Sequence, residues 1–317
     1  MTGLASPAPL QTAVRETWPA KFVLLVLVWG SSFLLMMVGL AALAPVQIAT
    51  ARILSGAVVL LVLMRLAGGR LPRERRVLAH VLLCSFFLGP LPFTLFALSE
   101  TRISSALAGI GNGTTPIASV IFSLLLLPHA RPTPARIGAV LLGLVGVLVI
   151  AEPWALDPPD PAGFGMALLA GVSYGLGWTW LKRFLGDVSF GPFAQPAAIL
   201  TAASVLSVPM LLGWWLLQDE RSLPWSVAST GEHSVAVAVG AVLVLGIVGT
   251  GLAYKLQADV VVAAGPVVAT SVTYLIPIVS IALGVLLLGE RLGPAQVSGF
   301  AVVLVAALLI GRPERVR

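Results

Sequence analysis

Three stretches of this 317-residue chain, Phe22 to Ala51, Val188 to Gln218 and Val260 to Gly289, contain no charged side chain. Each is longer than the ~20 apolar residues with which a helix crosses a bilayer core of about 30 Å. A single soluble core cannot absorb the surplus: 58% of the residues are hydrophobic and 10% charged, where an ordinary soluble domain carries roughly 25% charge. The chain is therefore expected to be an all-α integral membrane protein.

Charge clusters and Pro or Gly near the ends of apolar runs divide it into ten helices. They lie at about Ala20–Leu40, Pro45–Leu66, Val77–Leu98, Ser105–Leu127, Pro134–Ala151, Gly163–Leu185, Pro192–Leu217, Val235–Ala258, Gly265–Leu288 and Pro294–Ile310. Pro45, Pro134, Pro192 and Pro294 stand where a helix begins, the position at which a missing N–H costs nothing. Residues 1–19 and 312–317 read as short tails, the first of them disordered through Trp18. With both termini cytoplasmic, only Arg52, Arg102, Arg221 and Arg291 of the nineteen Lys and Arg fall on or near the outer side. Such retention of positive charge inside is the expected bias of an inserted protein.

A repeat gives these helices a plan. Sliding the sequence by 161 positions places Pro116 on Pro277, Ile117 on Ile278, Ser119 on Ser280, Leu125 to Leu127 on Leu286 to Leu288, and Gly138 on Gly299. Trp29-Gly30 and Tyr174-Gly175 extend the match to the starts of the two halves. Helices four and five are joined inside, through His129 and Arg131, whereas nine and ten are joined outside, through Glu290 and Arg291. The expectation is a 5+5 inverted-topology repeat, a construction that lets two halves rock about a central site and expose it to either side in turn. Residues 20–151 form the first unit, 152–162 an external linker and 163–311 the second.

Polar and aromatic groups inside the spans are the candidates for that site. Trp29, Ser32, Arg52, Asn112, Thr115, Tyr174, Trp178, Tyr254, Thr270 and Tyr274 are the substrate-cavity candidates, and Pro116 and Pro277, in mid-helix, are hinge candidates. Two roles fit Arg52: snorkelling to the outer headgroups, or facing the cavity to hold an anionic group such as a carboxylate. Gly109, Gly111 and Gly113 give helix four a smooth face for close helix packing. All thirteen acidic residues lie at helix ends or in loops, so a buried-acid ion relay has no obvious carrier. Glu100 and Asp259 are the nearest, as partners for Arg102 and Lys255. Glu290 and Arg291 read as a surface turn.

Other classes are disfavoured. The pI of about 10.2 suggests nucleic acid, yet the basic residues sit in short clusters at the ends of apolar runs rather than in one patch, so the partners expected are a small-molecule substrate and the lipid bilayer, with no nucleic acid. Cys84 is a lone apolar-run cysteine, and His80, His129 and His233 are far apart. No cofactor, metal site or catalytic constellation is expected, and the protein is not expected to be an enzyme.

Trp29-Gly30-Ser31-Ser32-Phe33, Arg52, and Pro277 followed by LLLGERLGPAQVSGFAVVLVAALL resemble the EamA-type branch of the drug/metabolite transporter superfamily. The resemblance covers both halves, although the first-half turn, Pro128-His129-Ala130-Arg131, lacks the Glu-Arg pair. It implies ten transmembrane helices, an alternating-access secondary carrier, and export of amino acids, other small metabolites or drugs across the inner membrane. A channel, or a membrane scaffold or enzyme, is the alternative.

Overall fold

The computed structural model describes residues 9–127, 134–152, 154–155, 158–218, 223–226, 234–264 and 272–310, and its regular structure among these is entirely helical. Among the described residues six segments are long and apolar enough to cross a membrane: Thr17–Leu40, Pro45–Leu66, Arg75–Ser99, Ser105–Leu126, Ala194–Leu216 and Val235–Gln257. Shorter apolar helices cover Ile137–Ala151, Leu275–Leu287 and Pro294–Ala306. Their outward side chains are apolar as well, with Val58, Val62, Leu125, Leu141, Val205 and Leu286 exposed, the surface a bilayer requires.

Several helices are interrupted where the local chemistry breaks the backbone ladder. α1 (Pro9–Gly30) and α2 (Ser32–Leu40) meet at Ser31. There the hydroxyls of Ser31 and Ser32 donate back to the Val28 carbonyl at 3.0 and 3.4 Å, a bond that bends helices. The tail expected to be disordered is helical from Pro9. α3 (Pro45–Leu66) starts at its proline, as expected. α4 (Arg75–Leu88) and α5 (Pro90–Ser99) are separated by Gly89 at φ −134° and ψ −92°, because Pro90 and Pro92 supply no N–H to continue the ladder.

α6 (Ser105–Asn112) and α7 (Thr115–Leu126) part at Gly113 and Thr114. Tight bonds from Gly113 N to Ile110 O and from Thr114 N to Gly111 O, 2.8 and 3.2 Å, close α6. Pro116 thus sits in the first turn of α7 instead of kinking a continuous helix, while Pro277 lies inside one. α8 (Pro134–Ala151) and α9 (Pro161–Leu185) follow, the latter capped by Asp160. Then come α10 (Ala194–Leu216), α11 (Val235–Gly246), a π-helical turn at Ile247–Leu252, and α12 (Ala253–Ala264). α13 (Val272–Leu287) and α14 (Pro294–Ile310) complete the fold.

Packing is reciprocal between the two halves of the chain. α1 lies against α12 and α13, while α9 lies against α4, α5, α6 and α7. A methyl on Gly30 would strike Val279, and one on Gly175 would strike Ala118; Ala118 shifted by 161 is Val279. α3 pairs with α10 and α8 with α14. The last pair runs antiparallel, since a Cβ at Gly143 would lie 3.4 Å from Ala306, whereas one at Gly299 would fall 2.8 Å from the Gly146 carbonyl and 2.9 Å from Ile150 N. Only glycine permits that approach. Gly138, the repeat partner of Gly299, has open space around it, so matched positions do not imply matched contacts.

Polar links close the two ends of the bundle. At the end where α1 begins, Asp259 accepts hydrogen bonds from Lys21 at 2.7 Å and Lys255 at 2.8 Å, tying α1 to α12. At the other, the turn after α13 caps α6 through Glu290, as described below.

Gly299→Val is expected to lower the melting temperature in detergent by several degrees, since overpacking costs typically 1–3 kcal/mol. Gly138→Val is the matched control expected to leave it unchanged. The Asp259 cluster sets a pH window. Partial burial pushes its carboxyl up, but the hydrogen bonds and charges of Lys21 and Lys255 outweigh burial and hold the pKa below the usual 3.8. Its contribution is present above pH ~4 and lost as pH falls through the depressed value. The stability gap between the protein and Asp259→Asn, followed by thermal melts, should therefore be constant near neutrality and close in strong acid.

Candidate functional site

At the centre of the bundle the most costly group in the chain is buried. Arg52, on α3, is 8% exposed, so it does not snorkel to a headgroup layer. Its guanidinium carbon stands 3.9 Å from the centre of the Phe93 ring on α5, and its Nε–H donates to Thr250 Oγ1 at 2.9 Å. Among the described residues no carboxylate lies within ion-pairing distance, and the Nη groups have no hydrogen-bond partner. The charge is held by a ring face and one hydroxyl, leaving the outer fork of the guanidinium available to an acceptor.

The π turn makes this possible. Thr250 Oγ1 donates to the Leu245 carbonyl at 3.2 Å while accepting from Arg52, and the wider turn presents the Gly249 carbonyl sideways to Trp29 Nε1–H at 3.1 Å. α3 fits against the turn because Gly56, Gly246 and Gly251 leave no side chain between the backbones. A π turn inside an α-helix is uncommon and is found often at functional sites. The run Gly246-Ile247-Val248-Gly249-Thr250-Gly251 is its trace in the sequence, and neither Thr250 nor Phe93 stood among the expected site residues.

Aromatic rings wall the site in two equivalent pairs. Trp29 meets Tyr254 edge-on, centroids 6.5 Å apart and planes at 76°, and Tyr174 meets Phe93 at 6.3 Å and 71°. Trp29 and Tyr174 are the residues that start the two halves; Phe93 shifted by 161 is Tyr254. The same shift carries Gly89, the break between α4 and α5, onto Thr250 in the π turn. The two halves thus deform at equivalent points. Arg52 has no charged twin: α10, which packs against α3, carries no ionisable side chain.

The other expected residues divide. Ser32 lies beside the π turn, where a Cβ on Gly249 would come 3.6 Å from its hydroxyl. Asn112 and Thr115 are buried and bonded to each other at 3.2 Å across the α6–α7 break. Trp178 packs with Cys84, Leu88 and Ile199. Thr270 lies outside the described residues, as does the side chain of Tyr274. The shallow clefts at α7, α8 and α9, lined by Ile117, Ile121, Leu144 and Leu168 among others, are apolar and separate from this cluster.

The expected surface turn has a structural task. Gly289, at φ +65°, reverses the chain after α13, and Glu290 accepts hydrogen bonds from the free N–H groups of Ser105 and Ala106, 2.8 and 2.9 Å. A carboxylate at a helix N-terminus satisfies orphan donors and meets the positive end of the dipole. Glu100, just beyond α5, is 4% exposed and does not pair with Arg102, which instead reaches Asp160 at 3.6 Å. Burial first, and the nearby Glu290 carboxylate second, push the Glu100 pKa well above the carboxylate range, against the pull of Arg52.

Comparison with known proteins places this geometry. The EamA-like transporter family matches twice, over residues 17–151 and 161–312. The uncharacterized inner membrane transporter YedA of Escherichia coli (strain K12) is 25% identical over 286 residues, covering 90% of this chain and 88% of YedA. The uncharacterized transporter YwfM of Bacillus subtilis (strain 168) is 27% identical over 232 residues, covering 73% and 72%. PecM of Dickeya dadantii (strain 3937) is 25% identical over 285 residues, covering 89% and 88%. A crystal structure with 20% identity superposes at a TM-score of 0.62 over 93% of this chain and 98% of its own, a likeness of fold alone. With the family matched in both halves of a bundle whose contacts repeat between them, the chain belongs to the EamA-like transporter family.

Proposed function

We propose that the protein is an alternating-access secondary transporter of the inner membrane, with both termini cytoplasmic, that exports a small amphipathic metabolite bearing a carboxylate, such as an amino acid or a related compound. The observation that carries the reading is Arg52: a cation buried between the two halves, under aromatic rings, with an unpaired fork. A planar guanidinium binds a carboxylate through two parallel hydrogen bonds, and Trp29, Tyr174 and Tyr254 can cover an apolar remainder. Support for the ten-helix, 5+5 inverted arrangement comes from the paired contacts Gly30 to Val279 and Gly175 to Ala118, and from the antiparallel α8–α14 seam. The bias of basic residues supports the orientation.

Rocking needs compliant points in each half. In the first half the break at Gly113 and Thr114 takes this role, with Pro116 opening α7. In the second, Pro277 leaves a gap in the ladder of α13. Lys21–Asp259–Lys255 at one end and Glu290 on α6 at the other are the contacts that alternate.

Proteoliposomes loaded with a mixture of the twenty amino acids should show protein-dependent exchange of at least one labelled member. Arg52→Gln is expected to lower that flux by about one to two orders of magnitude, the value of a charge-assisted hydrogen bond of 1.5–3 kcal/mol. Undiminished flux in that variant would remove the carboxylate from the reading, and ion conductance without saturable exchange would replace the carrier by a channel. Net movement only toward the side holding the N-terminus would reverse the direction.

Pro277→Ala should slow exchange severalfold while leaving the melting temperature within a few degrees. Pro116→Ala should slow it less, because a first-turn proline leaves no bond to restore.

A further inference from the structure

Beside the Glu290 cap lies a carboxyl group that the solute site does not use. Among the described residues neither oxygen of Glu100 has a hydrogen-bond partner, and the hydroxyl of Ser105, 1% exposed, has none either. Ser105 is the residue whose backbone N–H Glu290 accepts, and the Glu290 carboxylate also acts electrostatically on Glu100. A buried carboxylate without partners has given up its hydration for nothing in return; the neutral acid has not.

The charged and titratable groups facing Glu100 are few. Arg52 from α3 and Glu290 from the turn after α13 act on it electrostatically, in opposite senses. Tyr174 of α9 packs on Phe93 and Phe96 of α5, the helix that ends at Glu100. α2 and α10 carry no ionisable side chain, and His80 of α4 stacks on Phe184 near the other end. Two carboxyls held close favour a shared proton over two charges. A hard metal cation is a poorer occupant, since it takes about six oxygen ligands and here meets amide donors and Arg52.

We propose that Glu100 is a proton-binding site, neutral while Glu290 caps α6 and releasing its proton to water as that cap comes away. The balance is simple: the O–H bond of the carboxylic acid breaks, the proton passes to solvent at that end, and the carboxylate is hydrated by the water that entered. Linkage then runs both ways, so acid on that side holds the end closed. Coupling of the proton to solute flux rests on the transport reading; protonation itself does not.

Infrared spectra of the purified protein in lipid, recorded from neutral to alkaline pH, test it directly. The expected result is a carboxylic-acid C=O band that persists well above pH 7 and is missing from Glu100→Gln. In Glu290→Gln the same band should be lost at lower pH, because removing the neighbouring charge and loosening the cap both favour ionisation. Absence of the band at neutral pH, or its survival in Glu100→Gln, overturns the proposal. In proteoliposomes exchanging the amino-acid mixture, an imposed pH gradient should change the rate severalfold for the native chain and not for Glu100→Gln; an equal response in both overturns the coupling. No flux in the native chain would overturn the transport reading and leave the band to decide protonation.

Discussion

Burying the Arg52 guanidinium constrains everything around it. An unpaired cation in a low-dielectric interior is costly by many kcal/mol unless dipoles and ring faces replace its hydration, and here each replacement has a structural antecedent. Phe93 can lie over the charge because α5 starts afresh after Gly89. Thr250 can reach Nε because the π turn swings it out of α-helical register while its hydroxyl bonds back to Leu245. α3 can come close enough because three glycines clear the way. Change any one and the charge loses part of its substitute solvent.

Much of this was legible in the residues. Charge-free runs and the bias of Lys and Arg led to spans, and α3, α8 and α14 begin at Pro45, Pro134 and Pro294, whereas α10 begins at Ala194, two residues past Pro192. Trp29 and Tyr174 stood at matching places in the two halves, but that each meets a second ring edge-on, Tyr254 and Phe93, was not read from them. What was not legible depends on partners distant in the chain. Glu290 reads as exposed because its two donors are some 185 positions away, and no periodicity within Leu288-Gly289-Glu290-Arg291 points to Ser105. Glu100 reads as solvated because it sits at a helix end, yet tertiary packing leaves it 4% exposed. The π turn leaves a glycine pattern that fits a smooth packing face equally well.

The symmetry is most informative where it fails. Equivalent breaks in α4–α5 and α11–α12 show a shared plan of construction, whereas Arg52 on α3, with no ionisable side chain on α10, shows chemistry placed on one side only. A repeat supplies motion twice over, but a ligand of one charge needs a counter-charge once. The unequal prolines fit the same logic, since a bend can be made by Gly113 and Thr114 in one half and by Pro277 in the other without altering the architecture.

The Glu290 cap also bears on how the chain is made. The N–H groups that open α6 belong to residue 105 and its neighbour, and their acceptor leaves the ribosome only after nearly all of the protein has been synthesised. Until then the start of α6 is an unfinished helix end, and water or headgroups must stand in for the missing carboxylate. The N-terminal half is thus completed by the turn between α13 and α14, a contact that ties the two halves together however separable they look along the sequence.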